Sequence, residues 1–151
     1  MSVGIGYDSH RFEEGRRLVL GGVEIDHPLG LAGHSDADVL THAVIDALLG
    51  AAGGGDIGAL FPDDDERWRD ADSIDLLRTA VGTIAGRVVN VDATLICEEP
   101  RVGPYRAEMA RILAGATSAR VSVKATTNEG MGWIGRGEGI ACLAVAQVET
   151  E

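Results

Sequence analysis

The chain has 151 residues, 45% of them apolar and only 4% aromatic, so a core of its own must be built from Ala, Val, Leu and Ile. The net charge is −11 and no basic stripe interrupts it, which excludes nucleic acid and anionic membranes as partners. No apolar run approaches the roughly 20 residues of a membrane span, and Lys124 is the only lysine to meet an anionic substrate.

Val3 to Tyr7 is a short strand by composition, and Asp8 and His10 stand at its end. Arg17 to Leu20, Gly21-Gly22 and Val23 to Ile25 read as a hairpin about a Gly-Gly turn. Ser35, with Asp38 three residues on, is the pattern of a capped helix start, and the helix runs to Gly50. Its side chains are apolar nearly all round, the mark of a buried helix, except for a stripe of Asp38, His42 and Asp46. A polar stripe on a buried helix must face partners of its own.

Gly53 to Asp70 is rich in Gly and Asp and has no period; its length points to a functional loop. Asp72 or Ser73 caps a second helix with Ile74, Leu77, Val81 and Ile84 on its core face. Val88 to Glu98 is a strand with Val89, Val91, Ala93, Leu95 and Cys97 on one side. Tyr105, Met109, Ile112 and Leu113 mark a third helix, and Arg120–Thr126 and Ile140–Val148 are two further strands. The last is apolar on both faces and belongs at the centre of a sheet. The order predicts one α+β domain over residues 1–151, a mixed sheet with helices on one face and a small hairpin beside it. The bare sheet face then calls for a partner subunit. Cys97 and Cys142 read as small buried hydrophobes, and patterned sequence from Val3 leaves no room for a leader; both suit a cytoplasmic protein.

Asp8 and His10 are spaced i, i+2, so an extended backbone points both to one side. With His42 they make a carboxylate and two imidazoles, a donor set that suits zinc with one coordination position left open. Asp46, one turn beyond His42, is either an orienting partner for an imidazole or a plain surface carboxylate. Lys124 to Gly139 joins two strands by far more chain than a hairpin needs, with Thr126, Thr127 and Glu129 placed as magnesium and phosphate contacts are. Its Gly-x-Gly-x-Gly stretch lacks the Gly-Lys-Ser/Thr ending of a Walker motif.

Taken together, Gly6-Tyr7-Asp8-Ser9-His10-Arg11-Phe12, His34-Ser35-Asp36, His42, Gly55-Asp56-Ile57-Gly58, Phe61-Pro62-Asp63, Lys124-Ala125-Thr126-Thr127 and Gly135-Arg136-Gly137-Glu138-Gly139 closely resemble the 2-C-methyl-D-erythritol 2,4-cyclodiphosphate synthase family, from end to end of the chain. The resemblance implies a homotrimer whose sheets face the threefold axis, with active sites between subunits. It implies an enzyme of non-mevalonate isoprenoid biosynthesis, a cyclising, CMP-releasing phosphorus–oxygen lyase. The substrate's 2-phosphate attacks the β-phosphorus of its own cytidine diphosphate arm.

The resemblance also implies roles. Asp8, His10 and His42 hold zinc, and Glu129 places magnesium or manganese between the phosphates. His34 and Thr127 match transition-state stabilising positions, and Ser9 and Ser35 match substrate contacts. Asp56, Ile57, Gly58, Phe61, Pro62, Asp63, Asp64 and Asp65 contact the erythritol side. Pro100, Arg101, Val102, Gly103, Pro104, Ala125 and Thr126 form the cytidine pocket. Trp133 and Arg136 match the lining of a cavity on the threefold axis. Asn128 replaces a common threonine, as Asp64 does, and Trp133-Ile134 stands where Phe-Thr is common. Two alternatives remain beside the cyclase: a zinc-dependent phosphoesterase, and a cytidine-nucleotide-binding trimer without turnover.

Overall fold

The computed structural model describes residues 1–150. Five strands, β1 (Ser2–Glu13), β4 (Gly30–Leu31), β5 (Gly86–Ile96), β6 (Arg120–Thr126) and β7 (Gly139–Thr150), form one mixed sheet in the order β4-β1-β7-β5-β6. Strands β2 (Leu18–Leu20) and β3 (Val23–Ile25) make the separate hairpin, turning through Gly21 and Gly22, both at positive φ. As its two apolar faces predict, β7 is central, antiparallel to β1 on one side and β5 on the other. Strand β6 lies parallel to β5 and returns to it through α4 (Arg106–Thr117).

Helices α1 (Val39–Ala52), α3 (Ser73–Gly82) and α4 stack on one face of the sheet. Helix α1 crosses β1 and β7 so closely that Gly4 and Gly6 are required: a Cβ on them would lie 2.0 Å from the Ala47 carbonyl oxygen and 1.9 Å from that of Ala43. No L side chain fits there. The opposite face is open, and Val3, Ile5, Tyr7, Leu143 and Val145 are all exposed on it.

Several local expectations shift. The cap of α1 is Asp38, not Ser35, because Ala37 takes a left-handed φ of 56° and delays the helix. The buried Asp38 carboxylate accepts from the Thr41 backbone N–H and hydroxyl and from the N–H groups of Gly21 and Gly22, so the cap also ties down the hairpin. In β5 a register shift between Val88 and Asn90 buries Val88 where alternation had placed Val89. Strand β1 runs on through His10 to Glu13. The 53–70 segment contains α2 (Ile57–Leu60) and a 3-10 turn (Glu66–Trp68), and the long 127–138 loop contains α5 (Gly132–Gly135).

Candidate active site

Alternation along β1 turns Gly4, Gly6, Asp8 and His10 toward α1, and the two glycines let the helix lie directly on the strand. Ala43 therefore sits on Gly6, and His42, its neighbour, is delivered to Asp8. His10 Nε2 is 2.8 Å from Asp8 Oδ2, His42 Nδ1 is 3.2 Å from the same oxygen, and the two ring nitrogens are 3.4 Å apart. A tetrahedral ion with bonds of about 2.0–2.1 Å sets its ligands about 3.3 Å apart. The three donor atoms thus form one face of such a tetrahedron and can hold a metal ion, with the fourth corner directed away from them.

The rings are held from behind. His10 Nδ1 lies 2.7 Å from the Ala32 carbonyl, a bond that only Nδ1–H can make, and this leaves Nε2 for the site. His42 turns Nε2 toward Ser35 and Ser73. Burial acts to raise the Asp8 pKa, but the His10 and His42 imidazoles beside the carboxyl outweigh it and bring it down to about 2. Burial also opposes charge on His10, and the Asp8 carboxylate overcomes it, so the imidazole pKa is raised. Asp46 orients no imidazole. Its Oδ1 accepts from the Ile57 N–H at 2.8 Å and pins the start of α2 to α1.

Around the trio the chain makes a pocket lined by His34, Ser35, Ile57, Gly58, Phe61 and Asp63, all singled out by the resemblance. Trp68 and Leu76 line it as well, which the sequence did not reveal; Trp68 meets Phe61 edge-on, with ring centroids 5.0 Å apart. His34 Nε2 lies 3.2 Å from the Asp65 carbonyl. Asp56 and Asp65 spend their carboxylates on local caps, at the Ala59 and Arg67 N–H groups. Pro62 accepts from the Asp65 N–H, Asp64 is exposed, and Ser9 points to the open face of β1.

A second pocket is lined by Pro100, Arg101, Val102, Gly103 and Pro104 on one side and by Ala125, Thr126 and Thr127 on the other. Cys97, whose thiol burial pushes up to about 11, closes it below. Asp8, Cys142, Leu95 and Ala125 lie in one register row across β1, β7, β5 and β6. Three strand spacings of about 4.8 Å put the two pockets about 14 Å apart along the same sheet edge. One chain therefore does not bring the trio together with Thr127 and Glu129. Glu129, at φ 54°, sits in a loop held by Glu98, whose Oε1 accepts from the N–H groups of Asn128 and Gly130 at 3.1 and 2.9 Å. Glu98 was not foreseen, since as the last residue of a predicted strand it gives no sign of the loop it holds. Arg136 pairs with Glu138, and Trp133 is half-buried in α5.

The model of the YgbB family matches residues 1–149. The 2-C-methyl-D-erythritol 2,4-cyclodiphosphate synthase of Syntrophomonas wolfei is 56% identical over 156 residues, covering 99% of each chain. The bifunctional IspDF from Campylobacter jejuni superposes with a TM-score of 0.93 at 40% identity, over 99% of this chain and 42% of that one, so this chain spans less than half of that protein. A 2C-methyl-D-erythritol-2,4-cyclodiphosphate synthase solved in a CDP-bound form matches with a TM-score of 0.87 at 37% identity, over 97% of this chain and 99% of that one.

Proposed function

This chain belongs to the YgbB family, and from that membership we propose that residues 1–151 act as one catalytic domain converting 4-diphosphocytidyl-2-C-methyl-D-erythritol 2-phosphate to 2-C-methyl-D-erythritol 2,4-cyclodiphosphate and CMP. The observation that carries this reading is the donor triangle of Asp8, His10 and His42, which lines one pocket together with His34 and Ser35.

Nucleophile and leaving group are both parts of the substrate, so no Ser/His/Asp set is needed. The protein's work is to position the two phosphates and offset their charge. Zinc held by Asp8, His10 and His42, and a second ion, magnesium or manganese, held by Glu129, would supply the positive charge that an acidic chain lacks. His34 and Thr127 donate to phosphoryl oxygens as charge shifts toward the bridging and leaving oxygens. Phe61, with Trp68 packed edge-on against it, walls the erythritol side of the pocket. Ser35 and the Ile57–Gly58 backbone meet the erythritol end, flanked by Asp56, Pro62, Asp63 and the acidic turn at Asp64 and Asp65. Pro100 to Pro104 form a rigid wall that, with Ala125 and Thr126, takes the cytosine.

The assembly we propose is a trimer in which one subunit's cytidine pocket, Thr127 and Glu129 complete the zinc pocket of the next. Two pockets about 14 Å apart on one chain, and an exposed apolar sheet face, support that arrangement. Trp133 and Arg136 would then line the threefold axis. Two free, buried cysteines suit the reducing cytoplasm.

The test is turnover of the substrate with magnesium in water enriched in oxygen-18. CMP and cyclic diphosphate should form in equal amounts with no label in either. A linear, labelled product would assign a phosphoesterase instead, and binding without product a nucleotide binder.

A further inference from the structure

Behind His42 stands a short chain of polar groups, of which Ser73 and Asp36 have no part in the proposed reaction. His42 Nε2 lies 2.8 Å from Ser73 Oγ and 3.1 Å from Ser35 Oγ, and both serines are buried. The Ser73 hydroxyl is hydrogen-bonded to Asp36 Oδ1, and the Ser73 backbone N–H donates to Asp36 Oδ2 at 3.0 Å. Asp36 is itself fixed: its N–H donates to the Ala71 carbonyl at 3.1 Å, and its Oδ1 takes the Asp38 N–H at 3.2 Å. The segments before α1 and α3 are thus zipped together across 37 positions of sequence.

Proton counting fixes the direction of this chain. A carboxylate only accepts, and a serine hydroxyl carries one proton. Ser73 gives that proton to Asp36 and, being wholly buried, has no water to turn to. It can therefore only accept from His42. Nε2 then carries the hydrogen, and Nδ1 presents its lone pair to the corner shared with Asp8 and His10.

We propose that Asp36 is a positioning residue: acting through Ser73, it holds His42 in the Nε2–H tautomer and so forms the ligand before any ion arrives. The inference rests on the reading of Asp8, His10 and His42 as zinc ligands. It assigns to Asp36 a role separate from capping or substrate contact. Asp36→Asn keeps the shape but replaces one acceptor with a donor. The Asn amide then donates to Ser73 Oγ, Ser73 donates to His42 Nε2, and the tautomer reverses.

Two readouts test this without turnover. Zinc affinity, by competition with a chromogenic chelator, should weaken roughly 10–100-fold in Asp36→Asn, and toward the lower end in Ser73→Ala, where Ser35 still accepts from Nε2. Nitrogen-15 spectra of the zinc-free protein at about pH 9, above the ordinary imidazole range near 6.5, should show His42 as Nε2–H in the parent and gain Nδ1–H in Asp36→Asn. Should Asp36→Asn fail to fold, the zinc affinity of Ser73→Ala decides, since Ser35 can keep the tautomer there. Parent-like zinc affinity in the folded variants, with an unchanged tautomer in a folded Asp36→Asn, would overturn the relay. His42→Ala separates the two ideas. If it retains full zinc, the ligand assignment falls and the relay with it. If it loses zinc while Asp36→Asn and Ser73→Ala bind normally, only the relay falls.

Discussion

At residue 6 one methyl group decides whether the metal pocket can form. A Cβ there would lie 1.9 Å from the Ala43 carbonyl oxygen and 2.7 Å from the Ala47 nitrogen, and backbone cannot step aside as a flexible side chain would. We expect Gly6→Ala to lower stability by about 1–3 kcal/mol and to weaken zinc binding, since His42 adjoins the displaced Ala43. Gly115→Ala is the opposite case. Nothing lies within 4 Å of its would-be Cβ in the exposed interior of α4, so a gain of about 0.5–1 kcal/mol is expected. Urea unfolding of both variants, with and without zinc, checks the pair. The contrast shows how far single residues speak for themselves. Asp8 and His10 were legible as a pair because an extended backbone puts i and i+2 on one side. Gly6 and Gly115 are the same letter, and only the helix lying on one of them tells them apart.

Among elements, the loops do the positioning and the regular pieces supply the frame. The loop that carries Glu129 hangs on Glu98, whose single Oε1 takes two backbone N–H groups 30 and 32 residues away. Hydrogen bonds to a charged group contribute about 1.5–3 kcal/mol each. Glu98→Ala should therefore raise the magnesium needed for half-maximal turnover by about tenfold or more while leaving zinc content at one per chain. Magnesium titration of activity beside elemental analysis would show it, and an unchanged magnesium requirement would remove Glu98 from the positioning of Glu129. Helices α1, α3 and α4 were readable from their apolar spacing, since that spacing is the cause of their burial. The Asp38 cap and the β5 bulge were not, because each is set by a neighbour: the hairpin N–H groups claim Asp38, and the β7 register displaces Val89.

For the whole molecule, the open face of the sheet is the decisive surface. Ile5 is 70% exposed at its centre, with Val3, Tyr7, Leu143 and Val145 around it. A charge placed there is harmless to a lone chain and costly in a packed trimer. Ile5→Lys is expected to sediment as a monomer, to keep its zinc because the trio belongs to one chain, and to lose turnover because the second half-site is gone. Analytical ultracentrifugation with zinc analysis tests this; a trimeric, active Ile5→Lys would place the shared site elsewhere. The sequence by itself determined the elements, the sheet's central strand, and Asp8, His10 and His42 as one donor set. Those follow from periodicity and from which side chains bind metals, both local properties of the chain. Only the tertiary structure decided that Asp36 and Ser73 stand behind His42, and that one chain sets its two pockets about 14 Å apart. Those depend on which backbone lies against which, and no spacing along the chain encodes it.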